Sequence, residues 1–172
     1  GIEGLGLLFD FCYGERRTEP FGVQGRFLRK TIPSGGARHP TEVFFAAFAG
    51  GPIPPGVYHY NVQHHRLDCV NPGDSFAAFE YATFVLFQKF AAPPFGLLVF
   101  TSLVERAMWR YRDARSARAV FIDVGHALMV YRCIADALGV DTYTYQKVRD
   151  ASLCELLRVD PLVQPPLLVN VA

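Results

Sequence analysis

The chain has 172 residues, of which 51% are hydrophobic and 19% are charged, and its formal net charge is +1. A chain of this length buries about 70% of the surface that it exposes when unfolded, so we expect one globular domain. The near-neutral balance of charges argues against a nucleic-acid-binding protein, which would carry a basic stripe. No apolar run approaches the roughly 20 residues of a membrane span, and no signal peptide opens the chain. We therefore expect a cytoplasmic protein without nucleic-acid or membrane partners.

The cysteines and the first residue add two expectations. The four cysteines stand singly, with no C-x-x-C pair, which favours buried thiols in a reducing compartment over disulfides or a metal site. The chain begins at Gly1 rather than methionine. We expect residues 1–172 to form a single domain that lacks an N-terminal part or is one half of a longer protein.

The first half of the chain contains strongly patterned segments joined by turns. Gly1 to Tyr13 is apolar and predicts a short helix, whereas Glu15 to Lys30 is polar and rich in turn residues and predicts a long surface loop. Thr41 to Ala49 predicts a central strand, and Val57 to Val70 alternates in the manner of a β-hairpin. Asp74 can cap a helix that continues to about Phe87.

The second half is dominated by the segment Arg115 to Gly139, whose apolar residues recur at three- and four-residue steps. A helix that is apolar on nearly all sides is buried in a core or a dimer interface. The other predicted elements are a buried strand, a short helix and a last strand: Phe95–Leu103, Asp150–Arg158 and Leu167–Val171. Helices and strands mix without a βαβ rhythm, so the pattern predicts an α+β fold with a mostly antiparallel sheet.

The loop before the predicted central strand, in TIPSGGARHPTEVFF (Thr31–Phe45), is a candidate binding site. Its small residues leave the backbone accessible, and Ser34 and Arg38 can add hydrogen bonds to a flat or phosphorylated ligand. An ordinary turn uses the same residue types, so both interpretations stand. The candidate binding residues are Pro33, Ser34, Gly35, Gly36, Ala37 and Arg38.

The segment WRYR, Trp109 to Arg112, is a second candidate site. Its cations and aromatic rings suit an anionic or flat ligand, and the alternative is a strand end or loop with solvated arginines. Asp123 and His126 lie three residues apart on the long helix, where they could be a base and its orienter or a structural pair. The histidines of the predicted hairpin show no metal-ligand spacing, and we expect them at the surface.

Four segments together resemble the SagB-type (McbC-like) azoline dehydrogenases of the nitroreductase superfamily. PSGGARHPTEVFF (Pro33–Phe45) is similar to the flavin-contacting loop and strand of that family, and PPGVYHYNVQHHRLDCV (Pro54–Val70) to its "PGLYHYDPxxHxLE" hairpin. WRYRDARSARAVFIDVGHAL (Trp109–Leu128) resembles its "WKYGxRxYRxxLLDAGH" stretch. LCELLRVDPLVQPPLLVNVA (Leu153–Ala172) resembles its closing "LxxLLGLDxxxEPPLxxVxVG".

The resemblance implies a nitroreductase-like fold, homodimers with FMN at the interface, and oxidation of thiazolines or oxazolines to thiazoles or oxazoles. The substrates would be ribosomal peptides or carrier-bound chains in natural-product biosynthesis. The catalytic Lys-Tyr pair of the family aligns with Arg110 and Tyr111, and the loop from Pro33 to Arg38 would contact FMN.

The sequence departs from the family pattern at three places. Arg110 replaces a lysine and keeps its proton, so it can stabilise charge but is a poor base. DTYTYQKV (Asp141–Val148) brings bulky side chains where the family has a glycine-rich loop, and the family's phosphate-binding arginine motif is not visible. A second hypothesis therefore remains open: a catalytically silent domain that has lost flavin binding and serves as a structural or binding half.

Overall fold

The structure is a computed structural model that describes residues 1–21, 25–85 and 87–171. Along these residues the N-terminal part contains α1 (Ile2–Tyr13), β1 (Glu15–Phe21), β2 (Gly25–Lys30), β3 (Thr41–Ala47), β4 (Gly56–Asn61), β5 (Arg66–Pro72) and α2 (Phe76–Thr83). The C-terminal part contains β6 (Gly96–Ser102), α3 (Val104–Tyr111), α4 (Ser116–Ala137), β7 (Tyr143–Tyr145), α5 (Asp150–Leu157) and β8 (Pro166–Val171).

The main sheet has six strands in the order β5-β4-β3-β6-β8-β7, and every neighbouring pair is antiparallel. Every residue of the two central strands, β3 and β6, is buried. Their nearly unbroken apolar sequences reflect helices on both faces of the sheet, because neither face can then carry solvent-exposed residues. The predicted central and buried strands are confirmed.

The helices form two layers, one on each face of the sheet. Alternate residues of β3 separate the two cores: Val43 and Phe45 belong to the cluster with α1 and α4, whereas Phe44 and Ala46 belong to the cluster with α2 and α5. Successive side chains of a strand point to opposite faces, and this period assigns each residue to its layer. The predicted α+β fold, with an antiparallel sheet and a long helix, is confirmed.

Helix α4 buries one side against the sheet and leaves the other open. Val120, Val124 and Tyr131 are buried within the core. On the opposite side three large apolar residues are more than half exposed: Phe121 (63%), Ile122 (59%) and Met129 (60%). The apolar sequence on both sides of this helix therefore corresponds to a core face and an uncovered face.

The predicted surface loop from Glu15 to Lys30 is wrong, because its described residues form an antiparallel β-hairpin of β1 and β2. Residues 22–24 of this prediction lie outside the described residues. Glu19 accepts a hydrogen bond from Arg29 across the hairpin at 3.2 Å, and it also pairs with Arg17 on its own strand. Cross-strand charge pairs of this kind stabilise strands without apolar alternation, so hydrophobic patterning cannot detect the hairpin.

The WRYR segment is a second correction, since Trp109 to Tyr111 form the last residues of helix α3 and Arg112 follows as its left-handed C-cap. The sequence VERAMWRY consists largely of good helix formers, and this preference outweighs the alternation of aromatic and basic residues. Helix α2 ends at Thr83, earlier than predicted, where Phe84 adopts a left-handed conformation. Among the described residues, no helix has the length and apolar character needed to span a membrane.

Candidate functional site

The loop between β2 and β3 is a tightly kinked turn that packs against α4. Three of its residues have positive φ angles: Gly36 at 60°, Ala37 at 53° and His39 at 47°. Only glycine adopts this conformation without steric cost, so the two other residues need support from their surroundings.

The first support is Asp123 on α4, which is only 4% exposed. Its carboxylate accepts a hydrogen bond from the Ser34 hydroxyl at 2.6 Å and one from the Gly35 amide at 3.1 Å. Ser34 Oγ also accepts the amide of His39 at 2.8 Å. The start and the end of the turn are thereby tied to one buried carboxylate.

The second support comes from α3 and from β2. Arg106 donates to the carbonyl of His39 at 3.1 Å and forms an ion pair with Glu42. The His39 ring nitrogen Nε2 lies 3.1 Å from the carbonyl of Leu28, to which it can donate. Glu42 in turn lies 2.8 Å from Nε2 of His59, so a partly buried polar cluster closes the end of the turn.

The Tyr111 side chain lies against the outer face of the loop. A Cβ atom added at Gly36 would lie 2.0 Å from the Tyr111 hydroxyl oxygen, so a side chain at this position would require the Tyr111 side chain to shift. The guanidinium of Arg38 lies 6.0 Å from the Trp109 ring centroid. Arg110 is exposed on α3, and consecutive helical residues point about 100° apart, so it does not share the direction of Tyr111. The structure thus brings Tyr111 to the predicted binding loop.

Most polar groups of the loop are already used inside the protein. The amides of Ala37 and Arg38 donate to carbonyl oxygens within the turn, and those of Gly35 and His39 donate to Asp123 and Ser34. Within the described chain, the amide of Gly36 is the one between residues 35 and 39 that has no such partner. The buried Arg38 Nε likewise has no partner among the described residues. The loop therefore offers one exposed donor, the Gly36 amide, rather than the several converging amides that bind a phosphate.

The segment Asp141–Val148 does not obstruct this loop in the same chain. Its central residues form the edge strand β7, and the Tyr143 ring packs on Phe90 with centroids 5.0 Å apart. Tyr145 packs against the core on the side of α2 and α5, whereas the loop packs against α4 on the other side. The two tyrosines that replace glycine in the family pattern thus face away from the loop of their own chain.

Burial and neighbouring charges shift three pKa values beneath the loop. Burial lowers the pKa of His39 to about 4 and that of Lys30 to about 8. Burial alone would raise the pKa of Glu42, but the His59 hydrogen bond and the charges of Arg106 and Lys30 outweigh it and lower this pKa. Glu42 therefore remains an anion, and His39 remains neutral at pH 7.

The sequence analysis did not predict this polar cluster, although Glu42 is a lone charge within an apolar strand and could have indicated it.

The proposed Asp123–His126 pair does not form: Asp123 binds the loop and His126 is exposed. Of the predicted surface histidines, His64 and His65 are exposed, whereas His59 is partly buried against Glu42. The four cysteines are free thiols. Cys12 and Cys154 are buried, whereas Cys69 and Cys133 are exposed.

Comparison with known proteins identifies the family of this chain through its relatives, although no family model matches the chain. The chain is 30% identical over 148 residues to a protein of Methanocaldococcus jannaschii named as a nitroreductase, a match that covers 85% of this chain and 73% of that protein. The chain belongs to the nitroreductase superfamily. The resemblance to McbC-like members of this superfamily is confirmed as well.

Two relatives are named for the processing of trifolitoxin and of microcin B17. The trifolitoxin-processing protein TfxB of Rhizobium leguminosarum bv. trifolii is 37% identical over 168 residues, and the match covers 95% of this chain and 44% of TfxB. The microcin B17-processing protein McbC of Escherichia coli is 24% identical over 147 residues, covering 83% of this chain and 53% of McbC. The chain therefore spans less than half of TfxB and about half of McbC.

Solved structures share the fold. A crystal structure of a nitroreductase-like protein from Anabaena variabilis superposes with a TM-score of 0.88 at 23% identity, covering 98% of this chain and 34% of that chain. A chain of the E. coli microcin synthetase McbBCD complex with truncated pro-MccB17 superposes with a TM-score of 0.80 at 22% identity, covering 99% of this chain and 62% of that chain. The nitroreductase-like fold is thereby established.

The buried His39 predicts a loss of stability in acid. Its pKa is about 4 in the folded chain, against an ordinary value of 6.5, so the unfolded chain binds an additional proton between these pH values. The free energy of unfolding should therefore fall as the pH drops from 6.5 to 4, with a contribution of at most about 1.4 kcal/mol per pH unit. His39→Gln should flatten this slope in urea denaturation, and His64→Gln, at an exposed position, should not. An identical slope for the wild type and His39→Gln would contradict this account.

Proposed function

We propose that this chain is an FMN-dependent oxidoreductase that oxidises thiazoline or oxazoline rings to thiazoles or oxazoles in the maturation of a peptide natural product. The observation that carries the proposal is the meeting of Tyr111 with the glycine face of the Pro33–Arg38 loop. The similarity to two peptide-processing proteins supports the substrate class.

The loop is suited to the ring of a flavin. Gly36 is exposed and provides an amide without a protein partner among the described residues, with the Tyr111 hydroxyl beside it. Arg38 lies near Trp109 at the edge of the loop, with its Nε buried. A flavin ring presents acceptor atoms along one edge, so the Gly36 amide would donate to that edge. Ser34 would contribute through the shape of the loop, since its hydroxyl already donates to Asp123. Bound FMN would supply the hydride acceptor for the reaction.

In the proposed reaction Tyr111 would accept a proton and Arg110 would stabilise negative charge. Converting an azoline to an azole removes one hydride and one proton, so a group beside the ring must take the proton. Tyr111 is the residue that the structure brings to the loop, and its hydroxyl oxygen is the atom assigned to this transfer. Arg110 is exposed on the same helix but points about 100° away from Tyr111, so it would act on substrate charge only through the reach of its long side chain, whose guanidinium keeps its proton.

The uncovered face of α4 supports a homodimer. Phe121, Ile122 and Met129 expose large apolar side chains along this helix, and Trp109 on the neighbouring α3 is 73% exposed. Exposed apolar patches of this kind mark protein–protein contacts. Trp109 is close to Arg38, so a second copy on this face would lie at the edge of the loop.

A catalytically silent domain is the second candidate, and Arg110 is the observation that favours it. Loss of the lysine removes a side chain that can exchange a proton, while the fold and its packing remain intact. Such a domain would use the same α4 face to join another protein without binding FMN.

The dimer can be tested by replacing one residue of the α4 face. Ile122→Asp would bury a charge in the proposed interface and should convert a dimer into a monomer in light scattering. Leu162→Asp, at a position that is 93% exposed in a surface turn, is the matched control and should leave the mass unchanged. A wild-type monomer at micromolar concentration would overturn the homodimer.

Flavin binding and the role of Tyr111 can be tested on the purified protein. We expect the visible absorption of oxidised flavin, or its reconstitution on addition of FMN. Tyr111→Phe should retain FMN and lower azoline oxidation by about 10²-fold or more, the usual contribution of a positioned proton-transfer group.

The absorption spectrum and the kinetics test different parts of the proposal, and each has an outcome that would contradict it. A colourless protein that takes up no added FMN would favour the silent domain. Unchanged turnover by a yellow Tyr111→Phe protein would remove Tyr111 from the mechanism. Tyr81→Phe, which also removes an exposed tyrosine hydroxyl but lies on α2, is the matched control and should turn over normally.

A further inference from the structure

We propose that Asp123 is a positioning residue that holds the binding loop in the shape required for flavin. This inference rests on the proposed function, because it concerns the same loop, and it adds a residue that lies behind the loop. Asp123 is 4% exposed and acts through Ser34 and Gly35.

The contact consists of a short chain of hydrogen bonds. The amide of His39 donates to Ser34 Oγ, and the Ser34 hydroxyl donates to Oδ2 of Asp123. The amide of Gly35 donates to the same carboxylate, at 3.1 Å to Oδ1 and 3.3 Å to Oδ2. The hydroxyl of Ser34 thus acts as donor and acceptor at once, which fixes its rotation as well as its position.

The loop needs this support because its backbone is strained. Ala37 and His39 both occupy the left-handed region, and such residues persist only where the surrounding structure holds them. Asp123 ties down the residues on both sides of this strained segment, namely Ser34 directly and His39 through Ser34. Without the carboxylate, the turn should relax toward ordinary backbone angles.

Relaxation would affect the part of the loop that the ligand contacts. Gly36 lies between the tethered residues, and the fixed backbone sets the direction of its free amide. The contribution of Asp123 is therefore to present Gly36, and not to contact the ligand. Asn at position 123 keeps one oxygen acceptor and nearly the same volume, but it loses the charge-assisted hydrogen bonds of the carboxylate.

The first experiment is a double-mutant cycle on FMN affinity. Asp123→Asn and Ser34→Ala should each weaken FMN binding by about tenfold in a fluorescence titration, given the usual cost of losing a hydrogen bond to a charged group. The double variant should bind no more weakly than the weaker single variant, because both changes break the same link. His126→Asn, an exposed change one turn along α4, is the matched control and should bind as the wild type does.

The second experiment needs no cofactor. In the FMN-free protein, Asp123→Asn and Ser34→Ala should each accelerate hydrogen exchange about tenfold or more in the peptides that cover residues 34–39, and leave the strands of the central sheet unchanged. A folded variant with unchanged exchange in this loop overturns the inference, as does strict additivity in the double-mutant cycle.

The two experiments separate this inference from the proposed function. A wild-type protein that binds no FMN overturns the proposed function, while accelerated exchange in the loop would still support the role of Asp123 in shaping it. If Asp123→Asn fails to fold, the Ser34→Ala protein carries both measurements. A wild-type protein that binds FMN, together with a Ser34→Ala variant of unchanged affinity and exchange, supports the function and overturns the inference.

Discussion

The hydrogen bond from Ser34 to Asp123, at 2.6 Å, joins the two parts of the chain on which the candidate site depends. One part is a strained turn before the central strand, and the other is the long helix that covers the sheet. Because the carboxylate is buried, its hydrogen bonds are not weakened by water. The position of the turn is therefore set by the packing of α4 and not by the turn itself.

A second polar cluster fixes the other end of the same turn, where Arg106 binds both the His39 carbonyl and Glu42. Arg106 belongs to α3, the helix that also carries Tyr111, so one helix supports the loop from beneath and covers it from outside. Glycine suits position 36 for two reasons, since its φ angle is 60° and the Tyr111 hydroxyl occupies the space of a Cβ atom. The loop of small residues thus has a shape that depends on contacts with two helices, α3 and α4.

The sequence predicts those elements whose burial is uniform. Strands β3 and β6 and the core face of α4 follow from apolar runs and helical periodicity, because a sheet covered on both faces leaves no other arrangement for them. The β1–β2 hairpin could not be predicted in this way, since its strands are held by backbone pairing and by charges such as Glu19 and Arg29. Helix α3 could not be predicted either, because aromatic and basic residues alternate in WRYR and this pattern favours a strand end or a loop.

The candidate site likewise contains residues that lie in local sequence motifs and contacts that depend on the fold. The loop and Tyr111 resemble motifs of a family, so the sequence predicts them as site residues, and the structure brings the two together. The tether between Ser34 and Asp123 joins residues that are 89 positions apart, and no local pattern reports such a contact. The side of the sheet on which Tyr143 and Tyr145 lie is also a property of the fold, which only the strand register of β7 reveals.

The central claim is that the Pro33–Arg38 loop binds a flavin. The most direct test is to map which peptides of the wild-type protein FMN protects from hydrogen exchange. Our account predicts that saturating FMN slows exchange in the peptides that contain Gly36 and Arg38, and in those at the end of α3 that contain Tyr111. Binding of FMN that leaves these segments unprotected, or protects only β7 and α2 on the other face of the sheet, would contradict it.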